Sequence, residues 1–93
     1  MIFEYDAQKS QVNRDKHGIS FEDAKQLWFV PAVEIRAQPR FDEERFMLIG
    51  KLGDKFTSCI FTMRGEAFRI ISARRSRKKE VELYYAIIQE KKS

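Results

Sequence analysis

Between Ala32 and Arg75 the chain carries four apolar-rich runs parted only by short turn signals. "AVEIRA" sets Val33 and Ile35 against Glu34 and Arg36; "RFMLIGKL", "FTSCIFTM" and "AFRIISAR" follow. The breaks are the polar stretch "PRFDEE", the Gly53–Lys55 turn and a turn around Arg64–Glu66. Short period-two runs bounded by turn residues read as strands, and strands joined this tightly pair antiparallel. The remaining residues must supply whatever covers the sheet. With 93 residues there is room for one core and no large enclosed site, so function belongs on a surface or in a shallow groove.

Helical patterns occupy the two ends. "MIFEY" alternates weakly and reads as a short first strand. Asp6 can cap a helix running to about Lys16, and Gly18 takes the position just past its end, where a positive φ is needed. Ser20 caps a second helix, with Asp23 three residues on as in a capping box. Phe21, Ala24, Leu27 and Trp28 form one broad apolar face there, and Pro31 ends the helix or lies just past it. From about Arg77 to Lys91 the pattern is helical again: Val81, Tyr84, Tyr85 and Ile88 share a face that Leu83 and Ile87 widen. That arc is wider than a surface helix needs, which suits cover by a partner. The expected order is β-α-α-β-β-β-β-α in a single domain spanning 1–93. The class is α+β, an antiparallel sheet with helices packed on one face.

Composition narrows the chemistry. Eighteen Lys and Arg against 14 Asp and Glu give a formal charge of +4, which suits an anionic partner without identifying one. The single cysteine, Cys59, excludes an internal disulfide and reads as a small buried hydrophobe. One histidine and one cysteine make a metal site improbable, and no Gly-rich phosphate loop is present. No charged segment precedes an apolar run at the start, and no stretch reaches the roughly 18 apolar residues of a membrane span. The expected compartment is the cytoplasm.

The strongest charge feature is "RIISARRSRKKE", an apolar strand running into five cations within residues 74–79. Strict alternation puts Phe68, Ile70, Ser72 and Arg74 on one face, and Arg69, Ile71, Ala73 and Arg75 on the other. On the preceding strand Ser58, Ile60, Thr62 and Arg64 share a face. In a hairpin, Arg64 and Arg69 fall near the turn and Arg74 nearer the open end. The expected feature is an anion-binding surface along the sheet, not a tight pocket of all these arginines. Arginine suits that role because its planar fork grips phosphate at two points and stays charged. The plainer reading is a set of solvated strand-end and helix-start charges. His17 is either an acid–base group or a cap on helix-end carbonyls. Tyr84 and Tyr85 either serve a site or pack the core with a phenol reaching water.

Three stretches carry a family resemblance: "FEYDAQKSQVNRDKHGISFEDA", "EERFMLIG" and "FTMRGEAFRIISARRSRKKEVELYY". In this order, over nearly the whole chain, they resemble the BrnT family of bacterial toxins. The distinctive pieces are "KHGISF" and "RIISARR" with a Glu and a Tyr downstream. Tyr5 stands where the family commonly has Trp. The resemblance implies the toxin of a type II toxin–antitoxin system, with a RelE-like ribonuclease fold and RNA cleavage that arrests translation. It implies no metal and no other cofactor. The implied partner is a BrnA-type antitoxin with a ribbon-helix-helix domain, which rather than this chain reads operator DNA.

Self-cleavage of RNA by its 2′-OH needs a base, charge stabilisation at phosphorus and an acid. On the matching positions, Arg64 and Arg74 are expected to bind phosphate and stabilise the transition state. Lys16, His17, Glu80 and Tyr84 are the candidates for proton transfer or positioning. Lys9, Arg69, Arg75, Arg77 and Lys78 are expected to hold RNA. Gly18, Ser20 and Phe21 belong to the motif for structural reasons, at the junction of the first two helices. The residues alone also allow a non-catalytic basic module that binds RNA or protein.

Overall fold

The computed structural model describes residues 1–92. Strand β1 (Ile2–Glu4) leads into α1 (Ala7–His17) and the short α2 (Phe21–Ala24), which tightens into a 3-10 turn at Lys25–Phe29. Four strands follow, β2 (Ala32–Arg40), β3 (Glu43–Leu52), β4 (Lys55–Arg64) and β5 (Ala67–Arg75), and then α3 (Lys78–Lys92). The order is the expected one. Both N-caps act as read: Asp6 accepts from the Gln8 and Lys9 amides, and Ser20 accepts from the Asp23 amide. Gly18 closes α1 at φ 76°, its N–H bonded to Arg14 O at 2.8 Å.

The five strands lie in the order β1-β5-β4-β3-β2. The pairing is antiparallel from β2 to β5, as expected, whereas β1 joins β5 in parallel. The parallel pair follows from the chain path: α1, α2 and three strands intervene before β5 returns beside β1. The polar stretch expected as a turn is mostly strand, because β2 and β3 run on to a tip at Phe41–Asp42. Both tip residues have positive φ, 54° and 58°, as a tight twisted hairpin requires.

The main core lies between one face of the sheet and α1–α2. Ile19, Phe21, Ala24 and Leu27 pack on Leu48, Cys59, Phe61, Ile70 and Ala73. Trp28 joins them edge-on to Phe3 and to Phe61, each 5.1 Å between ring centres. Gly50 permits the 3-10 turn to lie close, since a Cβ there would come within 3.0 Å of Leu27 Cδ2. The expectation of helices on one face holds for α1 and α2. α3 packs against β2 and β3 from the reverse face, the one carrying Phe56 and Ser58.

Strict alternation along β5 does not hold. Ile60 faces Ser72 while Phe61 faces Ile70, so Ile71 is an extra residue with no partner opposite, a β-bulge. Beyond it the faces exchange. Ile70 and Ala73 both point into the main core, and Ser72 and Arg74 join Arg69 on the reverse face. An inserted residue of this kind keeps both ends of the strand's apolar set buried.

Candidate nucleic-acid interface

α3 covers only part of the reverse face. Near the β4–β5 turn that face is open and charged. Glu4 pairs with Arg69, and Arg69 pairs with Thr62. The register that sets Phe46 opposite Phe61 brings Arg45 opposite Thr62. Glu4, Arg69, Thr62 and Arg45 therefore form one row across four strands. Arg64 lies two residues along β4 from Thr62, on the same face. Arg45, Thr62, Arg64 and Arg69, with Lys9, Asp6 and Glu43, line a hollow of about 120 Å³.

The ion pairs in this hollow are uneven. Arg69 donates to Glu4 at 2.8 Å. Arg64 is looser, 3.9 Å from Glu4 and 3.8 Å from Glu43, and about half exposed. Charge-assisted hydrogen bonds span about 2.7–2.9 Å, so these longer contacts offset charge without using up the donors of Arg64.

A second hollow adjoins the first, between α1 and β5. Lys9 and Ile71 line both, and Lys16, His17 and Ser72 extend the groove along the helix. Asn13 fixes the wall. Its Nδ2 donates to Ile19 O and Ala73 O, each at 2.7 Å, and its Oδ1 accepts from the Ala73 amide at 3.3 Å. A buried amide thus takes the place of a neighbouring strand along the part of β5 that β1 does not reach. Ser10 assists by accepting from the Phe21 amide at 2.9 Å.

Arg74 has a different environment. It forms a two-pronged pair with Glu80, both N···O distances 2.7 Å. Glu80 also accepts from Ser58 Oγ at 2.8 Å and from the Arg77 amide at 3.0 Å, and Ser58 meets Ser76 at 2.7 Å. Partial burial pushes the Glu80 carboxyl up. The hydrogen bonds from Arg74, the Arg77 amide and Ser58, with the Arg74 charge, outweigh it and hold the carboxyl at about 2. This network fastens the first turn of α3 to the sheet.

The expected site residues thus separate. Arg64, Arg69, Lys9, Lys16 and His17 line one continuous groove. Arg74 and Glu80 are joined to each other at the start of α3. Arg75 turns to the opposite face and donates to Thr57 Oγ1 at 3.2 Å. Arg77 and Lys78 are exposed beside the network. Tyr84 packs edge-on against Phe56 with ring centres 5.1 Å apart. Along the sequence Arg45 carries no signal of its own, since it only opens an apolar run. Pairing that run against the next strand, residue by residue, is the signal that brings it to Thr62.

Cys59 is fully buried, and that burial pushes its thiol up to about 12, so it serves as the expected small hydrophobe. Among the described residues no group of His, Cys, Asp and Glu is arranged to hold a metal ion. No described helix is long and apolar enough to cross a membrane.

Residues 5–80 match the family model described as the ribonuclease toxin BrnT of type II toxin–antitoxin systems. The match begins at Tyr5, whose hydroxyl donates to Glu22 and whose ring packs edge-on to Phe21. No curated protein and no solved structure matches the chain.

Proposed function

The chain belongs to the BrnT family of ribonuclease toxins of type II toxin–antitoxin systems, and from that premise we propose that it cuts RNA in the groove between α1 and β5. One observation supports this placement: Arg64, Arg69, Lys9, Lys16 and His17 line contiguous hollows on the open face.

In this reading the RNA backbone follows the groove. Arg64, with much of its guanidinium free, stabilises the charge that builds at phosphorus when the 2′-OH attacks. Arg69 and Lys9 hold flanking phosphates. Lys16 and His17, at the last turn of α1, take and return the protons. Arg74 and Glu80 act as positioning residues that set the end of β5 and the start of α3. These side chains supply a base, an acid and charge stabilisation, so cleavage is proposed to proceed without a metal. The whole of 1–93 acts as one toxin domain in the cytoplasm. A BrnA-type antitoxin with a ribbon-helix-helix domain is the proposed partner, and it alone reads operator DNA.

The test is a cleavage assay. The chain is co-expressed with its neighbouring gene, stripped of partner in denaturant, refolded and incubated with bulk RNA in EDTA. An Arg64→Ala/Arg69→Ala variant runs alongside. Cleavage by the wild type alone is expected. RNA left intact by a folded wild type that still binds it would overturn catalysis on free RNA and favour a binding module.

A further inference from the structure

We infer that Arg45, which has no role in the reading above, binds a single RNA phosphate at the floor of the hollow it shares with Arg64 and Arg69. The inference rests on the RNA-cleaving reading and adds a binding residue to it.

Burial is the first reason. The Arg45 side chain is 16% exposed, and its Nε is buried with no hydrogen-bond partner. Its nearest acid, Glu43, stands 3.7 Å from that nitrogen, outside the range of a charge-assisted bond. A buried charged donor left unpaired is costly, and native folds keep few of them. The Arg45 side chain, although mostly buried, lines the hollow.

Convergence is the second. Arg45 and Arg69 flank Thr62 from the two neighbouring strands, and Arg64 approaches along β4 itself. Strand spacing puts the backbones of Arg45 and Arg69 roughly 10 Å apart, within reach of one small ligand between long side chains. Like charges gathered this closely repel unless something negative sits among them. Glu43 and Glu4 do this partly, but only the Arg69–Glu4 contact, at 2.8 Å, is a full hydrogen bond. The donors of Arg45 and Arg64 are left for a stronger acceptor.

Size decides the ligand class. A hollow of about 120 Å³ is well below the roughly 300–1,000 Å³ of pockets that enclose drug-sized ligands. It suits one phosphate group, with sugar and base outside. A tetrahedral anion presents its oxygens to several guanidinium forks at once, which a planar carboxylate does less well.

The experiment follows the Nε–H resonance of Arg45 by NMR in the refolded full chain, assigned through its bonded Cδ. Sodium phosphate is titrated against sodium chloride at matched ionic strength. A saturable shift of Arg45 Nε–H with phosphate only is expected. In parallel, an oligonucleotide with every 2′-OH methylated reports binding without cleavage. Arg45→Lys keeps the charge and removes the fork, and should bind about tenfold more weakly, the loss of at least one charge-assisted hydrogen bond. Arg36→Lys, an exposed pair to Glu44 on β2, should bind as the wild type does. An Arg45 Nε–H unmoved by phosphate overturns the inference, as does wild-type affinity in folded Arg45→Lys. If Arg45→Lys does not fold, the wild-type titration still decides. RNA cleavage with an unmoved Arg45 refutes this site and leaves the ribonuclease reading standing. A phosphate-dependent shift in a protein that cuts no RNA does the reverse.

Discussion

Arg74 and Glu80 are locked together by two parallel N···O contacts of 2.7 Å, with side chains only 24% and 13% exposed. That pairing decides how the basic end of β5 behaves. A guanidinium with both prongs on a carboxylate is spent, whereas Arg64, held only by contacts of 3.8–3.9 Å, is not. Two arginines that look equivalent in the sequence are therefore expected to fail differently.

Arg64→Ala should lower RNA cleavage about 100-fold, the typical loss of one preorganised charge-stabilising donor. It should change stability by less than about 1 kcal/mol, because its ion pairs are long and exposed. Arg74→Ala should instead cost about 2–3 kcal/mol by leaving Glu80 partly buried without its cation. Its cleavage should recover on cooling as the fold is restored. Urea unfolding beside initial cleavage rates checks both. Equal stability losses would show that the two arginines are not distinguished in this way.

Glu80 gives the fold an acid limit. Its carboxyl sits at about 2 in the folded chain against 4.5 ordinarily. Between those values the unfolded chain takes up a proton that the native chain refuses. The stability from Glu80 is thus complete above about pH 4.5 and drains away as pH falls toward 2. Glu80→Gln should be less stable by about 2 kcal/mol at pH 7, with the gap to the wild type closing through that window. Denaturant midpoints of both proteins at pH 7, 4 and 2.5 measure it. A gap that stays constant with pH would remove the ionic explanation.

Asn13 joins α1 to the free edge of β5. Asn13→Ala leaves Ala73 N–H, Ala73 C=O and Ile19 C=O without this partner, and should cost about 2–3 kcal/mol. Asn13→Asp should be worse at neutral pH, since a carboxylate would face two carbonyl oxygens. Thermal unfolding of the three proteins provides the comparison, and an aspartate variant as stable as the wild type would contradict the bonding pattern.

Gly50 offers a test of packing alone. An added methyl would meet Leu27 Cδ2 at 3.0 Å, and Ala32 Cβ and Pro31 O at 3.2 Å. Replacing a strand glycine with alanine ordinarily gains up to about 1 kcal/mol from the unfolded chain. Here overpacking against a fully buried Leu27 should outweigh that and give a net loss of about 1–2 kcal/mol. A rise in the unfolding temperature of Gly50→Ala would show that the 3-10 turn yields easily.

Element order, both helix caps, the turn at Gly18 and the burial of Cys59 are legible along the chain. All are local: a capping oxygen, a positive φ or a period of two is written within a few neighbouring residues. The family is legible for the same reason, in motifs of six or seven residues at each end of the match. Which charges are free depends instead on how strands and helices pack together. The bulge at Ile71 moves Arg74 to the reverse face, and one inserted residue is invisible to a strict alternation. The parallel seating of β1 brings Glu4 beside Arg69 from 65 residues away. α3 then delivers Glu80 to Arg74, while β3 brings Arg45 level with Thr62. Charge pairing acts over a few ångströms in space and has no period along the chain, so it is settled when the strands find their register.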